Sequence, residues 1–455
     1  MFLFLFYLQN LFKIDKILLE MINFFSQKIS IRQEIIGGIT TFVTMSYIIF
    51  VQPLILSTVG MDKGAVMVAT CVASSIAMIF MALLANYPIA LAPAMGHNFY
   101  FVYGVCLGLG VSWQIALGAN FIAGLIFLIV SFWGLREKLI NAIPSSLKHG
   151  IAVGIGLLIT FIGLQWAGIV VGKTGTLVGL GKLSSPPVLL SILGITVIAL
   201  LLTKKVKGAI LIGIAVNIFI AVGMGLIELP KIVGKIPSVS PTLFKLDIRG
   251  ALTWNMLGVI FIFFFLDLFD TVGTLVGLGE QAGFLKEGKL PRAKGALLSD
   301  AIGTVSGTLL GTSTITSYVE SSTGIAEGAK TGLANLVTAF LFLLSLIFYP
   351  LIEVVSKPIK VGNLVTYPII APALIIVGSF MLKSIRKIDW DNFTESFPAF
   401  LTIIIMPLTF SITEGISFGF IAYTFLKLVT GKIKEVPPLI YIFSILFILR
   451  YIFLT

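Results

Sequence analysis

The stretch Gly311–Gly332, GTSTITSYVESSTGIAEGAKTG, decides how this chain is read. It lies between two long apolar runs, 252–278 and 333–352, and so falls at membrane depth. Yet it is rich in Ser, Thr and Gly and carries two acids, Glu320 and Glu327. Hydrocarbon tolerates irregular, polar backbone only where it is buried in protein or lines a wet cavity. An ionisable residue at that depth marks a functional site by default. The segment predicts an interrupted helix, with the rest of the chain as its scaffold.

Composition bounds the class. With 58% hydrophobic and 11% charged residues, the chain stands far from the roughly 25% charged of soluble domains. Apolar runs of about 18 residues or more recur along its length, each long enough to cross a bilayer. The expectation is an all-α polytopic membrane protein embedded in a lipid bilayer. Cys71 and Cys106 are too few for a disulfide framework or a metal cluster, and no metal or cofactor is expected. The net charge of +11 does not argue for nucleic acid, because the basic residues sit in short loops between spans.

Taken in order, residues 1–35 mix Lys13, Asp15, Lys16 and Glu20 with Leu, Ile and Phe. They lack the basic start and cleavage site of a signal peptide and are read as a cytoplasmic amphipathic segment. Spans are expected at about 36–56 and 64–85. The third, NYPIALAPAMGHNFYFVYG (86–104), is interrupted by Pro88, Pro93 and Gly96 and holds His97 and Asn98. Further spans follow at about 112–133, 149–171, 187–203, 208–228, 252–278 and 296–310. The opening segment is the tenth, and four more run to about residue 428. Residues 431–455 form a C-terminal apolar segment that either crosses the membrane or lies along it. With the N-terminus cytoplasmic, the larger share of Lys and Arg falls inside, as the positive-inside bias requires.

VKGAILIGIAVNIFIAV (206–222) is echoed by TEGISFGFIAYTFLKLV (413–429), seven spans later. An odd number of spans per repeat inverts the second half relative to the first. The interrupted third and tenth spans then occupy matching places, the sequence pointer to a transporter binding site. Opposed half-helix N-termini would aim their positive dipole ends at a substrate near the midplane.

At this point a resemblance enters. GGITTFVTMSYIIFVQP (37–53), ALAPAMGHNFYF (90–101), IPSSLKHGIAVGIGLLITFIGLQWAG (143–168), FLDLFDTVGTLVG (265–277) and GTSTITSYVESSTGIAEGAKTGL (311–333) together resemble the AzgA-like purine permeases, the adenine/guanine/hypoxanthine branch of the nucleobase:cation symporters. The resemblance implies the uracil-permease fold, fourteen spans as two inverted repeats of seven. It implies a core domain (36–148 and 251–355) facing a gate domain (149–250 and 356–430). It also implies proton-coupled uptake of a purine base by elevator-type alternating access, in a plasma-membrane homodimer. Uracil or xanthine on the same fold is the alternative substrate class. Gln52, Ala94 and His97 depart from the family pattern.

The resemblance places Asp270, Glu320 and Asn98 at the substrate site. Asp267 and Asp270 are one helical turn apart and are expected on roughly one face, with Asp267 pairing elsewhere in the core. A carboxylate suits a purine because it accepts strong bonds from ring N–H or amino groups, and a carboxyl out of water is a ready proton carrier. Asp270, Asp300 and Glu320 are the candidate proton-coupling residues. Asn98 both donates and accepts, as base-edge recognition requires. Phe99 or Tyr100 would stack on the base, while Thr271, Thr274, Ser313 and Thr314 would supply supporting donors. His97 reads as a hydrogen-bonded core residue, His149 as unrelated, and Glu327 as an ion pair with Lys330.

AGIVVGKT (167–174) mimics a P-loop. A P-loop must follow a strand and open a helix, whereas this match ends an apolar span. ATP hydrolysis is excluded on that ground. Two histidines in the chain, no metal-ligand pair and no nucleophile beside a base argue against the other class considered, an intramembrane protease or transferase.

Overall fold

The structure is a computed structural model that describes residues 30–133, 144–229, 231–284, 290–361 and 364–453. The expected amphipathic segment at the N-terminus lies outside the described residues up to residue 29.

The fold is mostly helical. In chain order the principal helices are α1 (Ile31–Met45), α2 (Ile48–Ser57), α3 (Lys63–Phe80), α4 (Met95–Phe99), α5 (Trp113–Trp133), α6 (Ser145–Trp166), α7 (Pro186–Thr203) and α8 (Ala209–Gly223). They continue with α9 (Leu257–Gln281), α10 (Ala293–Leu310), α11 (Ser321–Ala326), α12 (Gly332–Leu344), α13 (Tyr349–Val355), α14 (Ala371–Met381), α15 (Phe393–Thr409), α16 (Ile412–Val429) and α17 (Pro438–Phe453). Among the described residues, eight helical stretches are long and apolar enough to cross a membrane, and three shorter apolar helices accompany them.

The chain is not purely α. Among the described residues, three two-stranded ribbons interrupt it: β1 (Leu91–Pro93) with β4 (Ile315–Ser317), β2 (Val170–Lys173) with β3 (Leu177–Leu180), and β5 (Ile359–Val361) with β6 (Leu364–Thr366). The residues mimicking a P-loop form one side of the β2–β3 hairpin and open no helix.

The β1–β4 ribbon joins the two interrupted spans. Its antiparallel register sets Leu91 against Ser317, Ala92 against Thr316 and Pro93 against Ile315. Backbone bonds from Ala94 to Thr314 O and from Tyr318 to Ala90 O, both 2.9 Å, extend it at each end. Pro88 and Pro93 cannot donate within a helix, which breaks the third span before residue 94. In the tenth span, Gly311 at φ +105° ends α10 in the left-handed region and frees the following Ser/Thr run from the helix. Each strand satisfies the backbone groups that the other break exposes, as membrane depth demands.

The first span also bends, which its pattern does not announce. Ser46 and Tyr47 form a turn between α1 and α2. Thr44 Oγ1 bonds back to the carbonyls of Thr40 and Thr41 at 3.0 and 2.9 Å, a pattern that bends helices. Small residues then bring α1 close to α11. A methyl group added at Gly324 would stand 2.2 Å from Thr41 Oγ1 and 2.5 Å from the Gly37 carbonyl.

The C-terminal helix α17 runs antiparallel along α16. Lys427–Glu435 (2.7 Å) holds one end, Thr424–Ser444 (2.8 Å) the middle and Glu414–Arg450 (2.8 Å) the other. The apolar C-terminal segment is thus packed along another helix for that helix's whole length.

Candidate functional site

The ribbon gathers polar side chains from several spans. Gln52 of α2 donates Nε2 to Thr312 Oγ1 at 2.9 Å and to Ser313 Oγ at 3.1 Å. Ser313 donates to Asn98 Oδ1, and Thr314 donates to Asn120 Oδ1 of α5 at 2.7 Å. Both asparagines are fully buried with Nδ2 lacking a protein partner. Their acceptor ends are therefore taken by the tenth span and their donor ends remain open.

Thr271 of α9 reaches the ribbon from the other side. Its hydroxyl lies 2.7 Å from Thr316 Oγ1 and 2.8 Å from Asp300 Oδ1. Thr304 of α10 accepts from Ile315 N at 3.1 Å and lies 3.5 Å from Asp267 Oδ2. Asp267, Thr271, Asp300 and Thr304 are all buried.

Asp267 and Asp270 do not share one environment. Residues three apart on a helix differ by about 60° in azimuth, enough to put them against different neighbours. Asp267 is buried against Asp300. Asp270 has an accessible side chain and faces Glu320 closely enough for the two charges to interact. Tyr318 stands near both Asp270 and Glu320, and its hydroxyl donates to the Pro93 carbonyl. Glu320, at the start of α11, accepts a 2.8 Å bond at Oε1 from Tyr47 Oη, which the turn in the first span delivers.

The remaining candidates are placed as follows. Phe99 is fully buried and stacks on Tyr103 at 5.9 Å between ring centroids. Tyr100 packs edge-on against Phe263 at 4.8 Å. Thr274 is buried one turn beyond Thr271. His97 is buried with Nε2 lacking a protein partner, and His149 lies near the start of α6. Glu327 pairs with Lys207 rather than Lys330. The backbone N–H of Lys330 is taken by Glu34 at 2.9 Å, which draws that segment toward α1. Lys207, on the tight turn before α8, reaches Glu327 instead.

Sequence reasoning missed Tyr47, Gln52 as a ribbon ligand, and Asn120. Tyr47 and Asn120 look like ordinary residues of apolar runs. Their polarity at membrane depth was the available signal.

Among solved structures, the chain superposes on the transmembrane domain of a cyanobacterial bicarbonate transporter, BicA, with a TM-score of 0.61 at 17% identity, over 86% of this chain and 98% of that one. It superposes on murine Solute Carrier 26 family member A9, an anion transporter, with a TM-score of 0.63 at 12% identity, over 89% and 69% respectively. These likenesses concern the fold. By sequence, the chain is 50% identical to a putative permease of Methanocaldococcus jannaschii, covering 94% of this chain and 96% of that protein. It is 47% identical to the guanine/hypoxanthine permease PbuG of Bacillus subtilis (93% and 97% covered) and 42% identical to the adenine permease AdeP of Escherichia coli (93% of each). Residues 32–418 match the Permease family. With the interrupted spans paired at membrane depth and permeases as its relatives, the chain belongs to the Permease family and is a multi-pass membrane transporter, not an enzyme.

Proposed function

We propose that this chain imports purine bases (guanine, hypoxanthine or adenine) across the plasma membrane by proton symport. The observation that carries the reading is the meeting of the two interrupted spans at the β1–β4 ribbon. Asn98 lies on the segment leaving β1, Glu320 on the segment leaving β4, and Asp270 faces Glu320. Relatives named guanine/hypoxanthine and adenine permeases support the substrate class.

The chemistry fits a base. Asn98 uses Oδ1 to accept from Ser313, so its Nδ2 is the end offered to a ring nitrogen or carbonyl. Glu320 and Asp270 accept from ring N–H or amino groups, with Thr271 and Thr314 as supporting hydroxyls. Phe99, next in sequence to Asn98 and stacked on Tyr103, is the ring assigned to stack on the base. Two acids at the site would repel an anion, so likeness in fold to anion transporters does not extend to the cargo.

Coupling is assigned to Asp270, Asp300 and Glu320, with the N-terminus cytoplasmic. Among the described residues, the fourteen spans are α1 to α16 counted with α1–α2 and α12–α13 each as one bent span. Together with the antiparallel ribbon, this supports two inverted repeats of seven. The core (36–148 and 251–355) then carries the site past the gate (149–250 and 356–430) in an elevator motion, and the working unit is a homodimer. Uptake of radiolabelled adenine, guanine, hypoxanthine, xanthine and uracil into cells lacking their own permeases tests the reading. Saturable purine uptake supports it. Uptake confined to uracil or xanthine assigns the same fold to that substrate.

A further inference from the structure

We propose that Asp267 and Asp300 form a proton-sharing carboxyl pair, a site for one proton that stands apart from the acids Asp270 and Glu320. Its role in transport rests on the proton-symport reading above.

The two side chains come from adjacent helices, α9 and α10, and are 2% and 0% exposed. Their carboxyl groups are in hydrogen-bonding contact. A carboxylate only accepts, so two carboxyls bond to each other only if one carries a proton. Like charges this close also cannot both persist away from water. The charged neighbours acting on Asp267 are Asp300 and Asp270, and Glu320 in turn acts on Asp270, so the whole group is acidic. The elements packed around the pair contribute Thr271, Thr304 and Thr316, which are neutral. One proton between Asp267 and Asp300 leaves a single negative charge there instead of two, and titration belongs to the pair rather than to either residue.

Threonines tie the pair to the ribbon. Thr271 has one O–H and lies within bonding distance of both Asp300 Oδ1 and Thr316 Oγ1. Its single hydrogen goes to Asp300 Oδ1, so Thr316 donates to Thr271 and that oxygen stays an acceptor while the shared proton lies between the two carboxyls. On the other acid, Thr304 lies beside Asp267 Oδ2 and binds both the N–H and the C=O of Ile315. Each carboxyl is therefore linked through one threonine to the strand that pairs with the third span.

Two measurements on the full-length protein test this. The first is the infrared C=O stretch of protonated carboxyls in purified protein in lipid nanodiscs at neutral pH. One band should disappear in Asp267→Asn and in Asp300→Asn alike and persist in Asp270→Asn. The second compares gradient-driven uptake with base exchange in proteoliposomes, using radiolabelled guanine, hypoxanthine and adenine. Asp267→Asn should lower gradient-driven uptake by roughly a hundredfold, the scale of losing a positioned proton-transfer group, while exchange at equal pH continues. Absence of the band in the unmodified protein, or its survival in Asp267→Asn, overturns the pair. Loss of exchange in step with driven uptake overturns its coupling role and leaves a structural one. If the unmodified protein accumulates no base under a proton gradient, the symport reading falls, and the infrared band still decides the pair.

Discussion

Tyr47 donates a 2.8 Å hydrogen bond to Glu320 across 273 positions of sequence. It fixes a carboxylate on a short helix at the end of an interrupted span, where the backbone alone leaves the side chain free to turn. A hydrogen bond to a charged group contributes about 1.5–3 kcal/mol.

Tyr47→Phe keeps the ring's packing and removes only that bond. Transport should fall roughly ten- to hundredfold in kcat/KM, from 1.5–3 kcal/mol at about 1.4 kcal/mol per decade. The thermal transition in detergent should move little. Uptake kinetics normalised to surface expression check it, and unchanged kinetics would remove Tyr47 from the site.

Glu320→Gln should abolish purine uptake in a folded, inserted protein, because the amide neither carries a proton nor accepts charge-assisted bonds at both ends. A protonophore at constant Na⁺ should collapse concentrative uptake by the unmodified protein. Uptake that needs Na⁺ and ignores the protonophore would reassign the coupling ion.

Asn98→Ala should cost about 1–3 kcal/mol of binding, since a polar edge of the base and the Ser313 hydroxyl both lose a partner. Affinities for adenine, guanine and hypoxanthine should drop unequally, because their edges differ. Competition assays with the three bases decide. A uniform drop that tracks expression would make Asn98 a packing residue.

Gly324→Ala should destabilise the protein by about 1–3 kcal/mol through overpacking, because the new methyl meets Thr41 Oγ1 and the Gly37 carbonyl. Gly258→Ala, with no atom within 4 Å of the added carbon, should be neutral or slightly stabilising, as Ala outranks Gly in a helix. Thermal melts of the two variants in one detergent test the contrast.

Lys207 and Glu327 join the turn before α8 to the end of α11, and both are partly exposed. Exposed pairs contribute about 0–1 kcal/mol. Lys207→Glu or Glu327→Lys alone should therefore cost no more than that, and the double reversal should regain it. A melting shift well beyond that range in either single variant would show a larger structural role for the pair.

From the sequence alone come the class, the interrupted third and tenth spans, and the acids at membrane depth. These are local properties. Run length against bilayer thickness, a proline's missing N–H, and the cost of a charge in hydrocarbon are all readable without knowing what lies nearby. Glu320, Asp270 and Asn98 stand out as candidates for that reason, with the family motifs beside them. What the tertiary structure decided is which polar groups meet. Tyr47 and Glu320 are 273 residues apart, Gln52 and Thr312 are 260, and Thr314 and Asn120 are 194. No periodicity links such positions, because each contact depends on how the two interrupted spans cross. The β1–β4 ribbon was equally invisible, since three residues of extended backbone make no strand signal until a partner completes their hydrogen bonds. Asp267 and Asp270 show the limit most plainly. Spacing put them on neighbouring parts of one helix, and only the packing of α10 and α11 gave one of them Asp300 and the other Glu320.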